Sequence, residues 1–155
     1  MTDSGVSTRD LTTRHRRIAF DSSVLIYLLE RDDARAEAVA SVIDQLAAEG
    51  ATGVLAPIGV SEVLAGPARA DDAIGFEMLA AAVRNLGFDT PPLDAAAAED
   101  AAWISGRTGA SLPDAIHLAC ARAGGATAFL TNDRRIRSRR GLEVVYLDDL
   151  VGADA

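Results

Sequence analysis

The chain has 155 residues, 49% of them hydrophobic and 25% charged, with a formal net charge of −8. That length and apolar share suit one domain with a real core, and no apolar run approaches the roughly 18–20 residues of a membrane span. The acidic balance excludes a surface that coats nucleic acid generally, but not a local basic strip.

Residues 1–16 are polar and lack the apolar stretch of a secretory signal, so they are expected to form a disordered leader. Residues 16–20, RRIAF, are a short apolar run ending at Asp21, as in a buried strand. SSVLIYLLE (22–30) then takes helical spacing, with Ser22 or Ser23 placed to cap it. A second helix is expected over 32–50, stopped by Gly50. Residues 52–57 form a second strand, and 58–66 a short helix ending near Gly66. Residues 71–87 are amphipathic and stopped by Gly87, 88–93 hold a short extended piece, and the Ala-rich 94–109 are helical. SLPDAIHLACA (111–121) reads as a buried helix with Pro113 in its first turn, closed by Gly124 and Gly125. Strands follow over 126–131 and 142–147. Short strands alternating with helices call for an α/β fold with a parallel sheet covered on both faces. In such folds, ligands sit beyond the carboxyl ends of the strands.

All fifteen basic residues are arginine. Without lysine there is no phosphate-binding Walker loop and no Schiff-base chemistry. There is no G-x-G-x-x-G, HExxH, CxxC or G-x-S-x-G motif either. The lone cysteine, Cys120, reads as a buried small hydrophobe, and a cytoplasmic location fits a chain with no possible internal disulfide.

The acids are more informative. Asp21 follows the first strand, Glu62 lies in the helix after the second, Asp114 opens the SLPDAIHLACA helix, and Asp133 follows the strand over 126–131. Each has an ordinary explanation: a helix cap for Asp21, a solvated helix position for Glu62, a first-turn acid for Asp114, a turn residue for Asp133. Their shared placement at one rim points elsewhere. Converging carboxylates repel, and a cation is the usual neutraliser. Hard oxygen ligands without a nearby histidine or cysteine imply Mg²⁺ or Mn²⁺ rather than Zn²⁺. Such an ion activates water at a phosphodiester.

Four stretches in order, FDSSVLIYLL, PIGVSEVLAG, LPDAIHLACA and FLTNDRRI, resemble PIN-domain proteins, specifically VapC-type toxins of toxin–antitoxin pairs. Together they span residues 20–136; no one motif is specific, but the ordered set is. The resemblance implies a three-layer α/β/α PIN-like fold over 17–150, with a central, mostly parallel sheet and a tail over 151–155. It implies an Mg²⁺- or Mn²⁺-dependent endoribonuclease, with RNA as substrate, a cognate antitoxin as partner, and a homodimer. The family's acids fall on Asp21, Glu62, Asp114 and Asp133, its hydroxyl beside the first acid on Ser23, its Ser/Thr before the last acid on Thr131, and a polar position on Asn132. One departure stands out: where members often carry a further acid, Arg134, Arg135 and Ile136 follow Asp133.

On that pattern Asp21, Asp114 and Asp133 are expected to hold the metal, and Glu62, with a pKa raised by its acidic neighbours, to orient or deprotonate water. Arg134 and Arg135 open the basic run 134–140 and are expected to contact RNA phosphates. His117, one turn after Asp114, reads as a structural residue, and Trp103 as core or interface. Competing readings are an aspartate-based phosphatase, which DSSVL disfavours by lacking a second aspartate two residues on, a non-catalytic PIN-like module binding RNA or a partner, and a structural partner in a complex.

Overall fold

The computed structural model describes residues 5–30 and 33–153, the last three as backbone only. In chain order the elements are α1 (Thr8–Arg14), β1 (Arg17–Phe20), α2 (Ser22–Glu30), α3 (Asp33–Glu49), β2 (Thr52–Val54), α4 (Pro57–Arg69), α5 (Ala73–Asn85), α6 (Ala95–Thr108), α7 (Leu112–Ala123), β3 (Ala128–Thr131), β4 (Glu143–Tyr146) and α8 (Leu147–Ala153). The four strands form one parallel sheet in the order β2-β1-β3-β4. The expected extended piece over 88–93 contributes only an isolated parallel bridge between Asp89 and Val54.

The sheet is buried on both faces, and the period of two in its strands sorts the core into two layers. Ile18, Phe20, Leu130 and Val145 pack with Val24, Val39, Val42 and Val63 on one side. Ala19, Phe129 and Val144 pack with Ile104, Ala115, Leu118 and Ala119 on the other. The expected three-layer α/β/α architecture is therefore present. Small residues dominate the second layer, and the Ala-rich faces of α6 and α7 pack on each other.

Three details differ from the expectation. The polar leader is not structureless: Ser7 caps α1, its Oγ accepting the Asp10 N–H at 3.1 Å, and Thr8, Leu11 and Thr12 are buried. His15 then ties the segment to the far edge of the sheet, with Nδ1 2.8 Å from Thr127 Oγ1 and Nε2 2.6 Å from Glu143 Oε2. Leu11, with Val6 packed beside the same core, anchors a segment whose composition is polar. Leu11 is fully buried, so Leu11→Ala is expected to cost about 2–5 kcal/mol, read as a lower urea midpoint at unchanged slope.

The second difference is α4, which runs through Gly66 and Pro67 to Arg69 rather than stopping near Gly66. Pro67 lies in the last turn, where the missing donor costs one bond, and the Ala70 N–H closes on the Gly66 carbonyl at 3.2 Å. Third, residues 147–150 leave the sheet as the start of α8, burying Leu147 and Leu150, so helix continues into the expected tail; residues 154 and 155 lie outside the described residues. Arg35 forks onto Asp148 from α3, with Nε–Oδ1 3.1 Å and Nη2–Oδ2 3.0 Å.

Cys120 is buried, as expected. Trp103 does not join the core: it stands 65% exposed, with the Arg107 guanidinium 5.5 Å from its ring centroid, which leaves the interface half of the expectation open.

Candidate active site

β1 and β3 are the two inner strands of a parallel sheet, so both deliver their carboxyl ends to the same rim. Asp21 is the residue after β1; its backbone N–H still bonds the Leu130 carbonyl at 2.9 Å, and its carbonyl accepts from Val24 in the first turn of α2. The side chain is 7% exposed. Thr131, fully buried at the end of β3, donates its hydroxyl to Asp21 Oδ2 at 2.7 Å and accepts the Asp133 N–H at 3.1 Å. One hydroxyl thus fixes both acids. Asp114 joins from the first turn of α7, where Ser111 Oγ accepts its N–H at 3.3 Å.

The electrostatics follow from that placement. Burial, with the negative charges of Asp21 and Asp133 nearby, pushes the Asp114 carboxyl above its ordinary range, against the weaker pull of Ser111. Asp133 goes the other way, held low mainly by its hydrogen bond with Arg135. The Arg135 backbone N–H and Nε both reach Asp133 Oδ1 at 3.0 Å, and Nη2 reaches Oδ2 at 2.8 Å.

Because Asp114 is held above its unfolded value, the folded chain carries an extra proton between the two pKa values, and stability falls as pH rises through that window. Asp114→Asn removes this cost. Its melting temperature is expected to exceed the parent's at pH 7, with the gain shrinking as pH falls toward the unfolded carboxylate range. Calorimetry across that range checks it.

Glu62 reaches the site from α4 and departs from the expectation. Its carboxyl is lowered, not raised, chiefly by the hydrogen bond from His117. His117 Nε2 lies 2.5 Å from Glu62 Oε1 and 4.0 Å from Asp21 Oδ1, and the ring is almost fully buried. Ser22 Oγ donates to the same Glu62 oxygen at 3.1 Å. Glu62 is therefore partnered by an imidazole and a hydroxyl rather than crowded by carboxylates. The hydroxyl beside Asp21 that touches an acid is that of Ser22; Ser23, where the family pattern placed it, makes no side-chain hydrogen bond among the described residues.

His117 and Ser22 are the two site residues that sequence reasoning passed over. The signal for His117 was its position three residues after Asp114, on the same face of α7. Space for it comes from Gly59 of α4, where a Cβ would come within 3.1 Å of His117 Cε1 and 2.5 Å of Leu55 Cδ1. The ring also meets Phe129 edge-on at 6.3 Å. Its Nδ1 is buried with no hydrogen-bond partner.

Asn132 serves the fold: its Oδ1 accepts the Asp148 N–H at 3.1 Å at the start of α8. Arg134 stacks on Tyr146 at 4.3 Å and forks onto Asp149 at 2.7 and 3.2 Å. Neither expected RNA-binding arginine is unpaired in the structure.

Among the described residues no group of three histidine, cysteine or acidic side chains is arranged to hold a metal ion. Asp133 explains much of that, since Arg135 already covers both its oxygens. The donor chemistry nevertheless suits a hard divalent cation: Asp21 and Asp114 offer carboxylate oxygens at one rim, the ligand type such an ion prefers.

A family model, PIN domain, matches residues 18–142. The chain belongs to the PIN domain family. Two solved structures share the fold. A toxin-antitoxin complex from Klebsiella pneumoniae contains a chain that superimposes with a TM-score of 0.60 at 21% identity, covering 81% of this chain and 94% of that one. VapBC2 from Rickettsia felis, bound to a DNA fragment from its promoter, contains a chain matching with a TM-score of 0.64 at 11% identity, covering 84% of this chain and 98% of that one. No curated protein matches the sequence significantly. Within the PIN domain, the matched span includes all four acids, His117 and the arginine loop that follows β3.

Proposed function

We propose that this PIN-domain protein is a metal-dependent endoribonuclease and the toxin of a toxin–antitoxin pair. The observation that carries this is the convergence of Asp21, Asp114 and Asp133 on one rim, at the carboxyl ends of β1 and β3 and the first turn of α7, with Thr131 bridging the Asp21 carboxylate and the Asp133 backbone. Asp21 and Asp114 would hold an Mg²⁺ or Mn²⁺ ion, with Asp133 joining once Arg135 leaves it. A bound ion supplies activation of water and stabilisation of the charge that builds on the phosphate. Thr131 holds the Asp21 carboxylate and the Asp133 backbone in register. Glu62, ionised and steered by His117 and Ser22, orients the attacking water. Arg134 and Arg135 would contact RNA phosphates by exchanging their internal carboxylates for phosphate oxygens.

Two features support an antitoxin partner. An apolar groove of about 840 Å³ between α2, α4 and α5 has Glu62 in its wall, with Leu29, Val63, Met78 and Leu79. Met78 is 70% exposed, and Ile74 on the same helix 76%. A partner segment lying there would reach the acid rim, and an arginine on it would pair with the carboxylates as Arg135 does. The same exposed α5 surface suits the proposed homodimer. Among the described residues no helix is long and apolar enough to cross a membrane.

The alternative, a PIN-like module that binds without cutting, draws on the Arg135–Asp133 clamp, which leaves the three-acid set unassembled. Mn²⁺ binding separates the two. The enzyme reading expects saturable binding, seen as loss of the free-ion paramagnetic signal, and at least about tenfold weaker binding in Asp114→Asn. Equal, weak binding in both proteins would favour the non-catalytic module.

A further inference from the structure

A second cavity, of about 480 Å³, lies between the α6–α7 turn and the loop joining β3 to β4. Its walls hold three arginines, Arg135, Arg137 and Arg139, against one acid, Asp114. In a chain of net charge −8 this is a local reversal of sign. Arg137 and Arg139 make no ion pair among the described residues, and the Nε of Arg139 is buried with no hydrogen-bond partner. Leu118 and Ile136 supply an apolar wall.

The loop is built to hold those arginines still. The Ile136 N–H bonds the Asp133 carbonyl at 3.0 Å, and the Tyr146 hydroxyl donates to the Ile136 carbonyl at 2.6 Å. Ser138 Oγ accepts the Val144 N–H at 2.9 Å. Arg139 and Leu142 exchange backbone hydrogen bonds of 2.9 and 3.0 Å across a turn that Gly141 closes at φ +81°. A backbone fixed this well beside unpaired guanidinium groups is preorganised for an anion.

We infer that this cavity is a nucleotide subsite of the RNA substrate, in which Arg137 and Arg139 hold a phosphate. A cavity of this size accommodates one nucleotide. Arginine forks match phosphate oxygens. Asp114 lines the same cavity, so a nucleotide held there adjoins the phosphodiester at the acid rim. The inference rests on the ribonuclease reading for the identity of the substrate, and it assigns the phosphate contact to Arg137 and Arg139, which have no carboxylate to release.

The test is binding of a single-stranded decaribonucleotide to the full chain in EDTA, where no metal-dependent cleavage can intervene. Adding the RNA is expected to shift the backbone amide resonances of Ala110, Ser111, Ser138 and Arg139. Arg137→Ala/Arg139→Ala is expected to weaken binding at least tenfold and to make the log–log salt dependence shallower by about 0.7, the release expected of one phosphate contact on a single strand. Arg139→Lys, which keeps the charge and the stem, is expected to recover part of the affinity. With metal present, the double variant should raise KM and leave kcat nearly unchanged. Binding with these signatures but no cleavage would keep the subsite and overturn the nuclease reading. Metal-dependent cleavage with unshifted amides and an unchanged salt slope in the double variant would overturn the subsite alone.

Discussion

Asp21→Asn is expected to leave the fold intact and to lower metal-dependent RNA cleavage by about a thousandfold or more. The substitution is nearly isosteric. The amide oxygen can still accept the Thr131 hydroxyl, and the backbone bonds of Asp21 to β3 and α2 do not involve the side chain. What disappears is a charge held at the end of β1 with 7% exposure, where a cation would be poorly screened by water. RNA binding in EDTA should be retained or slightly tightened, since a negative charge leaves the rim. Matched melting curves with lost cleavage would establish Asp21 as part of the reaction; ordinary turnover at matched metal would remove it.

Phe129→Ala is expected to be the most damaging core substitution near the site, costing about 3–5 kcal/mol. Phe129 is fully buried in β3, the strand paired with both β1 and β4, and it fills the layer under α7. It also forms the edge-on wall against the His117 ring. The loss should therefore appear twice: as a lower denaturant midpoint, and as a fall in kcat under conditions where the variant is still folded, because His117 would no longer hold Glu62. A destabilised variant with unchanged kcat would show that the wall supports the fold without positioning the histidine.

Much of this arrangement was legible in the sequence. The apolar runs RRIAF, ATAFLT and LEVVYL are too short for helices, and they place β1, β3 and β4 to within two residues of their observed bounds. With the strands placed, Asp21 and Asp133 fall on one rim because a parallel sheet gives all its carboxyl ends the same direction. The partners of those acids were less legible. His117 and Glu62 are 55 residues apart, and only the packing of α4 on α7 brings them to 2.5 Å. The arginine run carried a second ambiguity: composition gives charge but not pairing. The structure divides it into Arg134 and Arg135, held by Asp149 and Asp133, and Arg137 and Arg139, which line a cavity. The leader misled for a related reason. Leu11 is one apolar residue in a polar segment, and its burial depends on a core formed by residues far along the chain.

The most direct measurement is incubation of total cellular RNA with the purified chain, shown to be folded and free of bound protein, with Mg²⁺ or Mn²⁺ and in parallel with EDTA. Discrete RNA fragments that form only with metal are the predicted result. Intact RNA in every reaction would contradict the nuclease account and leave a PIN fold whose acids serve binding alone.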